Sequence, residues 1–213
     1  MIRERRAEAY RALPGVRVFL RTGALGLLLG LGLSACTEPL RPFNATEVSG
    51  IDYGHTVTLP DTNGTPRRLK EFTGQVTVVF FGFTSCPDIC PTTLWRLKQV
   101  RDALGPEADQ LQILLISVDP ERDTPERLQA YVEPFGPGFI GLRPEPRDLA
   151  TVVRAFHAIA EKVSLNDGAD YTIDHSSTLY VYDTRARLRL ISQADIDPAA
   201  LADDVRRLVQ EAS

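Results

Sequence analysis

The chain has 213 residues, of which 43% are hydrophobic and 24% are charged, and its net charge at pH 7 is −4. This composition suits one globular domain of ordinary size with an appendage. Residues 1–35 hold six arginines and two glutamates, so the rest of the chain has a net charge of −8. No basic cluster remains there, which argues against nucleic acid as a partner.

The N-terminal region has the features of an export signal. Several arginines precede the apolar run Gly23–Leu33, which is too short and too rich in glycine for a membrane-spanning helix of ~20 apolar residues. Such a run fits the apolar region of a signal peptide. It ends in Leu33-Ser34-Ala35-Cys36, which resembles the bacterial lipobox, where a peptidase cuts before the cysteine and the thiol carries lipid.

We therefore predict three segments. Residues 1–35 are a lipoprotein signal peptide, residues 36–49 are a membrane tether, and residues 50–213 are the folded domain. A lipid on Cys36 would anchor the protein at a membrane, facing the periplasm or the cell exterior. The alternative is an uncleaved anchor in which the cysteine has no role.

Apolar runs and turn signals predict the elements of the domain. A β-hairpin is expected around Asn63-Gly64, with arms at Val57–Leu59 and Arg67–Leu69. Further strands are predicted at Val76–Phe83, Leu111–Val118, Phe139–Leu142, Thr178–Tyr182 and Leu188–Ile191. Helices are predicted at Thr92–Ala103, after Asp123-Thr124-Pro125, at Arg147–Ala160 and at Pro198–Glu211. Trp95 and the other aromatic residues are expected in the core.

This order of elements predicts an α/β protein with a mixed central sheet flanked by helices and an N-terminal β-hairpin. The thioredoxin-like fold has this arrangement. In open α/β sheets the functional groups lie beyond the carboxyl ends of the strands. Cys86 follows the end of the strand Val76–Phe83, so the sequence around it is the candidate site.

Cys86 and Cys90 are the thiols of the predicted domain. At a spacing of four residues on a helix, both side chains would lie on one face, one turn apart. Such a pair can bind one soft metal ion or close into a disulfide, and an exported chain meets an oxidising environment. A position near a helix N-terminus is expected to lower the pKa of the cysteines and to favour thiolates.

His175 is the candidate third ligand. It lies in Tyr171–Ser177, a segment expected to be the loop that enters the strand Thr178–Tyr182. In a thioredoxin-like fold that loop lies beside the cysteines. Two thiolates and one imidazole suit copper, as Cu(I) or Cu(II), whereas structural zinc usually takes four protein ligands. His55 and His157 are expected to be ordinary surface or core histidines.

Three further features near the site each have a functional interpretation and an ordinary structural one. Asp174 either orients the ring of His175 or contacts a partner, unless it is simply solvated. Asp88, between the cysteines, either adjusts the charge at the metal or faces water. The charged loop Val118–Asp123 is either a docking surface or a set of helix-capping residues.

Three motifs together resemble the Sco/SenC family of thioredoxin-fold copper proteins. They are Phe81-Gly82-Phe83-Thr84-Ser85-Cys86-Pro87-Asp88-Ile89-Cys90-Pro91, Ser117-Val118-Asp119-Pro120-Glu121-Arg122-Asp123-Thr124 and Tyr171-Thr172-Ile173-Asp174-His175-Ser176-Ser177. The resemblance covers roughly residues 45–213. It implies a copper site made by Cys86, Cys90 and His175.

The resemblance also implies a role in assembling the binuclear CuA centre of cytochrome c oxidase. The partner would be the copper domain of oxidase subunit II, and another periplasmic copper chaperone or a thiol reductant is a further expected partner. A metallochaperone is the first interpretation and implies no enzymatic turnover. The alternative is a thiol–disulfide oxidoreductase that keeps the CuA cysteines reduced by using Cys86 and Cys90 as a redox pair. A peroxiredoxin-like peroxidase is a third, more distant interpretation, because Thr84-Ser85-Cys86 only faintly resembles that active loop.

Overall fold

The computed structural model describes residues 41–211, so the predicted signal peptide, Cys36 and part of the tether lie outside the described residues. The strands are Thr46–Glu47 (β1), Leu59–Pro60 (β2), Pro66–Arg67 (β3), Val76–Gly82 (β4), Leu111–Ser117 (β5), Phe139–Leu142 (β6), Ala160–Leu165 (β7), Asp170–His175 (β8), Thr178–Tyr182 (β9) and Leu188–Gln193 (β10). The α-helices are Ile89–Leu104 (α1), Pro125–Val132 (α2), Leu149–Ala155 (α3) and Pro198–Gln210 (α4). No helix in this range is long and apolar enough to cross a membrane.

Six strands form the central sheet, in the order β1-β10-β9-β4-β5-β6. β4, β5 and β6 run parallel to one another, and β9 is antiparallel to both β4 and β10. Every residue of β4 and β5 is buried, as is usual for strands covered on both faces. Helices α1 and α4 pack against each other, and α2 packs against β6. This mixed sheet with flanking helices confirms the predicted α/β, thioredoxin-like class.

The predicted N-terminal hairpin is present but short, since β2 and β3 pair over only two residues each. Gly64 has a φ of +80° in the turn, a conformation that favours glycine. The buried carboxylate of Asp61 accepts hydrogen bonds from the backbone N–H groups of Asn63 and Thr65, and it pairs with Arg67 at 2.9 Å. These contacts hold the turn in place, although β2 and β3 form few backbone hydrogen bonds with each other.

The prediction of a helix through Ala160 is wrong beyond Ala155. His157 has a φ of 52°, and the N–H of Ala158 turns back to the carbonyl of Val153. The chain then enters β7, which pairs antiparallel with β8 in a two-stranded sheet that was not predicted. As a result, His175 ends a strand and does not lie in a loop.

Helix α1 begins at Ile89, three residues earlier than predicted. Its buried residues include Leu94, Leu97 and Val100, which pack in the core. The expectation that Trp95 packs in the core is wrong, because this side chain is 55% exposed. Trp95 lies on the solvent side of α1, with the Lys98 ammonium 5.8 Å from its ring centroid.

Candidate metal centre

The two cysteines lie where the chain passes from β4 into α1. Cys86 is half-buried in the turn before the helix, and its N–H donates to the carbonyl of Phe83 at 3.2 Å. Cys90 is the second residue of α1 and is fully buried. The prediction that both side chains share one helix face is wrong, because Cys86 precedes the helix. The turn still brings them together, and the N–H of Cys90 lies 3.4 Å from Sγ of Cys86.

His175 reaches the cysteines from the end of β8. Its Nε2 atom lies 3.4 Å from Sγ of Cys90, and its Nδ1 atom lies 3.1 Å from the carbonyl oxygen of Ser176. A carbonyl can only accept, so Nδ1 carries the hydrogen and Nε2 presents its lone pair to the sulfur. The rings of Phe80 and Phe83 lie edge-on to the imidazole, with centroids 6.2 and 5.8 Å away. The tautomer suited to metal binding is therefore already set.

The donor atoms of Cys86, Cys90 and His175 all lie within 4.8 Å of one another. They are the one group of three or more potential His, Cys, Asp or Glu ligands found between residues 41 and 211. Two sulfurs and one imidazole form a soft donor set that suits copper. The group lacks the fourth protein ligand of a closed structural zinc site. The three residues predicted from the sequence are thus brought together, and their chemistry fits copper.

Burial controls protonation at this centre. It raises the pKa of the Cys90 thiol, and the hydrogen bond with Cys86 adds to the effect. The expected lowering by the helix N-terminus is therefore wrong for Cys90, since desolvation outweighs it. Burial also lowers the pKa of His175, and the Ser176 carbonyl and the Asp174 carboxylate only partly oppose this. Without metal, both groups are neutral near pH 7, and a metal that binds Cys90 displaces its proton.

The other acidic and histidine candidates lie outside the cluster. Asp174 is exposed on β8 and acts on His175 through its charge, while the carbonyl of Ser176 orients the ring. Asp88 is exposed and lines an open groove of about 350 Å³ beside the site. His157 stacks on Tyr53 with ring centroids 4.4 Å apart, and His55 contacts Asp52 at 3.3 Å.

Tyr131, on α2, was not anticipated from the sequence. Its hydroxyl is buried and has no hydrogen-bond partner among the described residues. Burial raises its pKa, and electrostatic interactions with Cys90, Cys86 and Asp123 add to this shift. The sequence around Tyr131 indicates only an amphipathic helix, which does not predict a buried hydroxyl at this position.

Comparison with known proteins places the chain in a family. The family model described as SCO1/SenC matches residues 46–210. An SCO2-like protein of Rickettsia prowazekii is 36% identical over 172 residues, which cover 76% of this chain and 83% of that protein. Copper-bound ScoI of Bradyrhizobium japonicum has a TM-score of 0.65 at 38% identity, covering 71% of this chain and 96% of that chain. BsSco, in which a disulfide switch was identified, shares the fold, with a TM-score of 0.58 at 20% identity over 75% of this chain and 95% of its own. The motifs, the fold and these matches together show that the chain belongs to the SCO1/SenC family.

Proposed function

We propose that this protein binds one copper ion through Cys86, Cys90 and His175. The observation that carries the proposal is the meeting of three soft donor atoms within 4.8 Å, at the carboxyl end of β4 and the end of β8. The copper-bound relative from Bradyrhizobium japonicum supports the choice of metal. Cys86 and His175 are partly exposed, so the ion can be reached by another protein.

The copper is cargo, and its destination is the CuA centre of cytochrome c oxidase subunit II. The Sco family is described as a family of cytochrome c oxidase assembly proteins, which supports this destination. A site with three protein ligands leaves the ion open to a ligand from the acceptor, so transfer proceeds by ligand exchange. The half-buried Cys86 and the groove lined by Asp88 and Ile89 lie where the acceptor would approach.

Copper titration of the purified protein under reducing conditions tests the site. Wild type is expected to bind one copper ion, and His175→Ala is expected to lose most of the affinity. The matched control is His55→Ala, which removes a histidine outside the cluster and is expected to bind as wild type does. Equal affinity in wild type and His175→Ala would remove His175 from the ligand set.

A second candidate function is reduction of the CuA cysteines by the same thiol pair. The observation that favours it is the free state of Cys86 and Cys90, with their sulfurs within 4.8 Å of each other. In the exchange, Cys86 and Cys90 lose two electrons and two protons and form a disulfide, while the target disulfide becomes two thiols. Incubation of the reduced protein with an oxidised subunit II fragment tests this function. A fragment that stays oxidised would exclude it.

We also propose that Cys36 carries a lipid, that residues 1–35 are removed, and that the residues between Cys36 and β1 are the tether. The Leu33-Ser34-Ala35-Cys36 sequence supports this. The expected boundary between residues 49 and 50 is wrong, because Thr46–Glu47 already pairs with β10 in the central sheet. Mass spectrometry of the protein from membranes is expected to show a diacylated N-terminal Cys36. Cys36→Ser should leave an uncleaved chain, and an unmodified Cys36 in the wild-type protein would contradict the proposal.

A further inference from the structure

The strand that carries His175 belongs to a hairpin with little support from the main sheet. β7 and β8 pair only with each other, and β7 is exposed along nearly its whole length. A single two-stranded hairpin is marginally stable in water. Ile173 is buried and gives one anchor to the core. The fixed distance between His175 and Cys90 therefore needs further contacts.

Tyr171 makes these contacts at the opposite end of β8. Its hydroxyl donates to the carboxylate of Asp119 at 2.8 Å. The guanidinium of Arg122 stacks on the ring at 3.8 Å from the centroid and donates to the Tyr171 carbonyl at 3.0 Å. Arg122 also forms an ion pair with Asp119, and Lys162 lies 4.7 Å from the ring centroid. One tyrosine is thus held through its hydroxyl, its ring and its backbone.

The same loop, between β5 and α2, also holds the cysteine segment. Asp123 is fully buried and accepts hydrogen bonds from the N–H of Thr84 at 3.2 Å and from its hydroxyl at 2.6 Å. Thr84 lies two residues before Cys86. The N–H of Asp123 donates to the carbonyl of Asp119 at 2.8 Å. The loop 119–123 therefore joins the segment of the two cysteines to the hairpin of the histidine.

The two interpretations of this loop drawn from the sequence do not account for these contacts. Thr124 caps α2, since its hydroxyl accepts from the N–H of Arg127 at 3.2 Å, so Asp119 and Asp123 are not needed as caps. Both aspartates are buried, with exposed fractions of 1% and 0%, so neither is available to a docking protein.

We infer that Tyr171 and Arg122 are positioning residues that hold His175 at metal-binding distance from Cys90. The inference rests on the proposed copper site. The clamp, meaning Asp119, Arg122 and Tyr171, acts through the hairpin and contacts no ligand atom. Loss of supporting contacts around metal ligands typically lowers metal affinity ~10–100-fold. We expect a loss of copper affinity in that range when a substitution removes the contacts of Tyr171 or Arg122.

The test uses the full-length protein with Tyr171→Leu, Arg122→Ala and Tyr171→Phe. The matched control is Val163→Thr, an exposed substitution on β7 that keeps a β-branched side chain. Cu(I) affinity is measured by competition with a chromophoric chelator, and hydrogen exchange is measured on the metal-free proteins. Tyr171→Leu and Arg122→Ala should weaken binding ~10–100-fold and speed exchange in β8 while β4 stays protected. Tyr171→Phe removes only the hydroxyl and keeps the stacking of the ring on Arg122, so this variant should retain most of the wild-type affinity.

A double variant shows whether the clamp acts through His175. Once His175→Ala has removed the third ligand, adding Tyr171→Leu should cause no further loss of affinity. An additive loss would overturn the inference, as would clamp variants that match Val163→Thr in both affinity and exchange. If wild type binds no copper, the proposed function fails, and the exchange of β8 in the metal-free proteins still decides whether the clamp holds the hairpin.

Discussion

A Cβ atom added to Gly82 would lie 3.1 Å from Sγ of Cys90. The last residue of β4 and the buried thiol of α1 therefore pack directly against each other. The same added atom would lie 3.0 Å from the Phe80 ring and 3.1 Å from a methyl group of Leu115. Glycine at this position leaves the space that the sulfur occupies.

Gly82→Ala is expected to displace the Cys90 sulfur and to weaken copper binding. Overpacking of this kind should also lower the free energy of unfolding by about 1–3 kcal/mol. Copper titration and urea unfolding measure the two effects. The control is Gly141→Ala, whose added carbon would lie 2.6 Å from Leu128, away from the metal centre. This control should lose stability without losing affinity, and unchanged affinity in Gly82→Ala would contradict the prediction.

The two thiols should react at very different rates with an alkylating reagent. Cys86 is half-buried, whereas Cys90 is fully buried and burial raises its pKa, so little Cys90 thiolate forms near pH 7. Brief treatment of the reduced, metal-free protein with iodoacetamide at pH 7 should label Cys86 first. Peptide mass mapping gives the two rates. Equal labelling in the folded protein would show that Cys90 is accessible.

Asp183 should make the stability of the domain sensitive to acid. Burial opposes its ionisation, but hydrogen bonds from the side chain and backbone of Arg187 and from the N–H of Arg185 hold its pKa below the ordinary value. Below about pH 4 the unfolded chain binds the proton more readily, so this stabilisation is present above pH ~4 and is lost as pH falls through the folded pKa.

Asp183→Asn is expected to lose about 1–2 kcal/mol of unfolding free energy at pH 7, because the charged partner of Arg187 is removed. The decline in stability between pH 4 and pH 2 should also become shallower. Urea unfolding at each pH measures both effects. Asp203→Asn, at an exposed position of α4, is the control and should follow wild type. If the free energy of unfolding of Asp183→Asn fell as steeply below pH 4 as that of wild type, other carboxylates would be responsible for the acid sensitivity.

The exposure of Trp95 can be checked by fluorescence, since the chain has a single tryptophan. Emission should be that of an indole in water, and acrylamide should quench it readily. Trp95→Gln should change the free energy of unfolding by no more than about 0.5 kcal/mol, as is usual for surface positions. A large loss of stability, or emission typical of a buried indole, would show that the Trp95 side chain is buried in the core.

The elements that the sequence predicted well are those whose burial leaves a strong pattern. β4 and β5 are continuous apolar runs, and the turn at Asn63-Gly64 is a specific hairpin signal. The β7–β8 hairpin was missed because β7 is largely exposed and its alternating apolar residues, Val163 and Leu165, are too few to mark a strand. The turn Asn166-Asp167-Gly168, with its Asp-Gly pair, was the available signal.

The contacts that support the site could not be predicted because they join distant parts of the chain. The hydroxyl of Tyr171 meets Asp119 across 52 residues, and Thr84 meets Asp123 across 39. Each of these side chains has an ordinary local explanation, such as a strand position or a turn. The raised pKa of Cys90 has the same origin, since the core that buries its sulfur is assembled from several elements.

The distance along the chain between Cys90 and His175 sets an order of events during synthesis. The two residues are 85 positions apart. At roughly 5–20 residues per second, the histidine follows the thiols by roughly 4–17 s. Throughout that interval the nascent chain has the two cysteines without the imidazole of His175. A disulfide closed before His175 joins the cysteines would have to accept two electrons before the molecule could take up its first ion through both sulfurs.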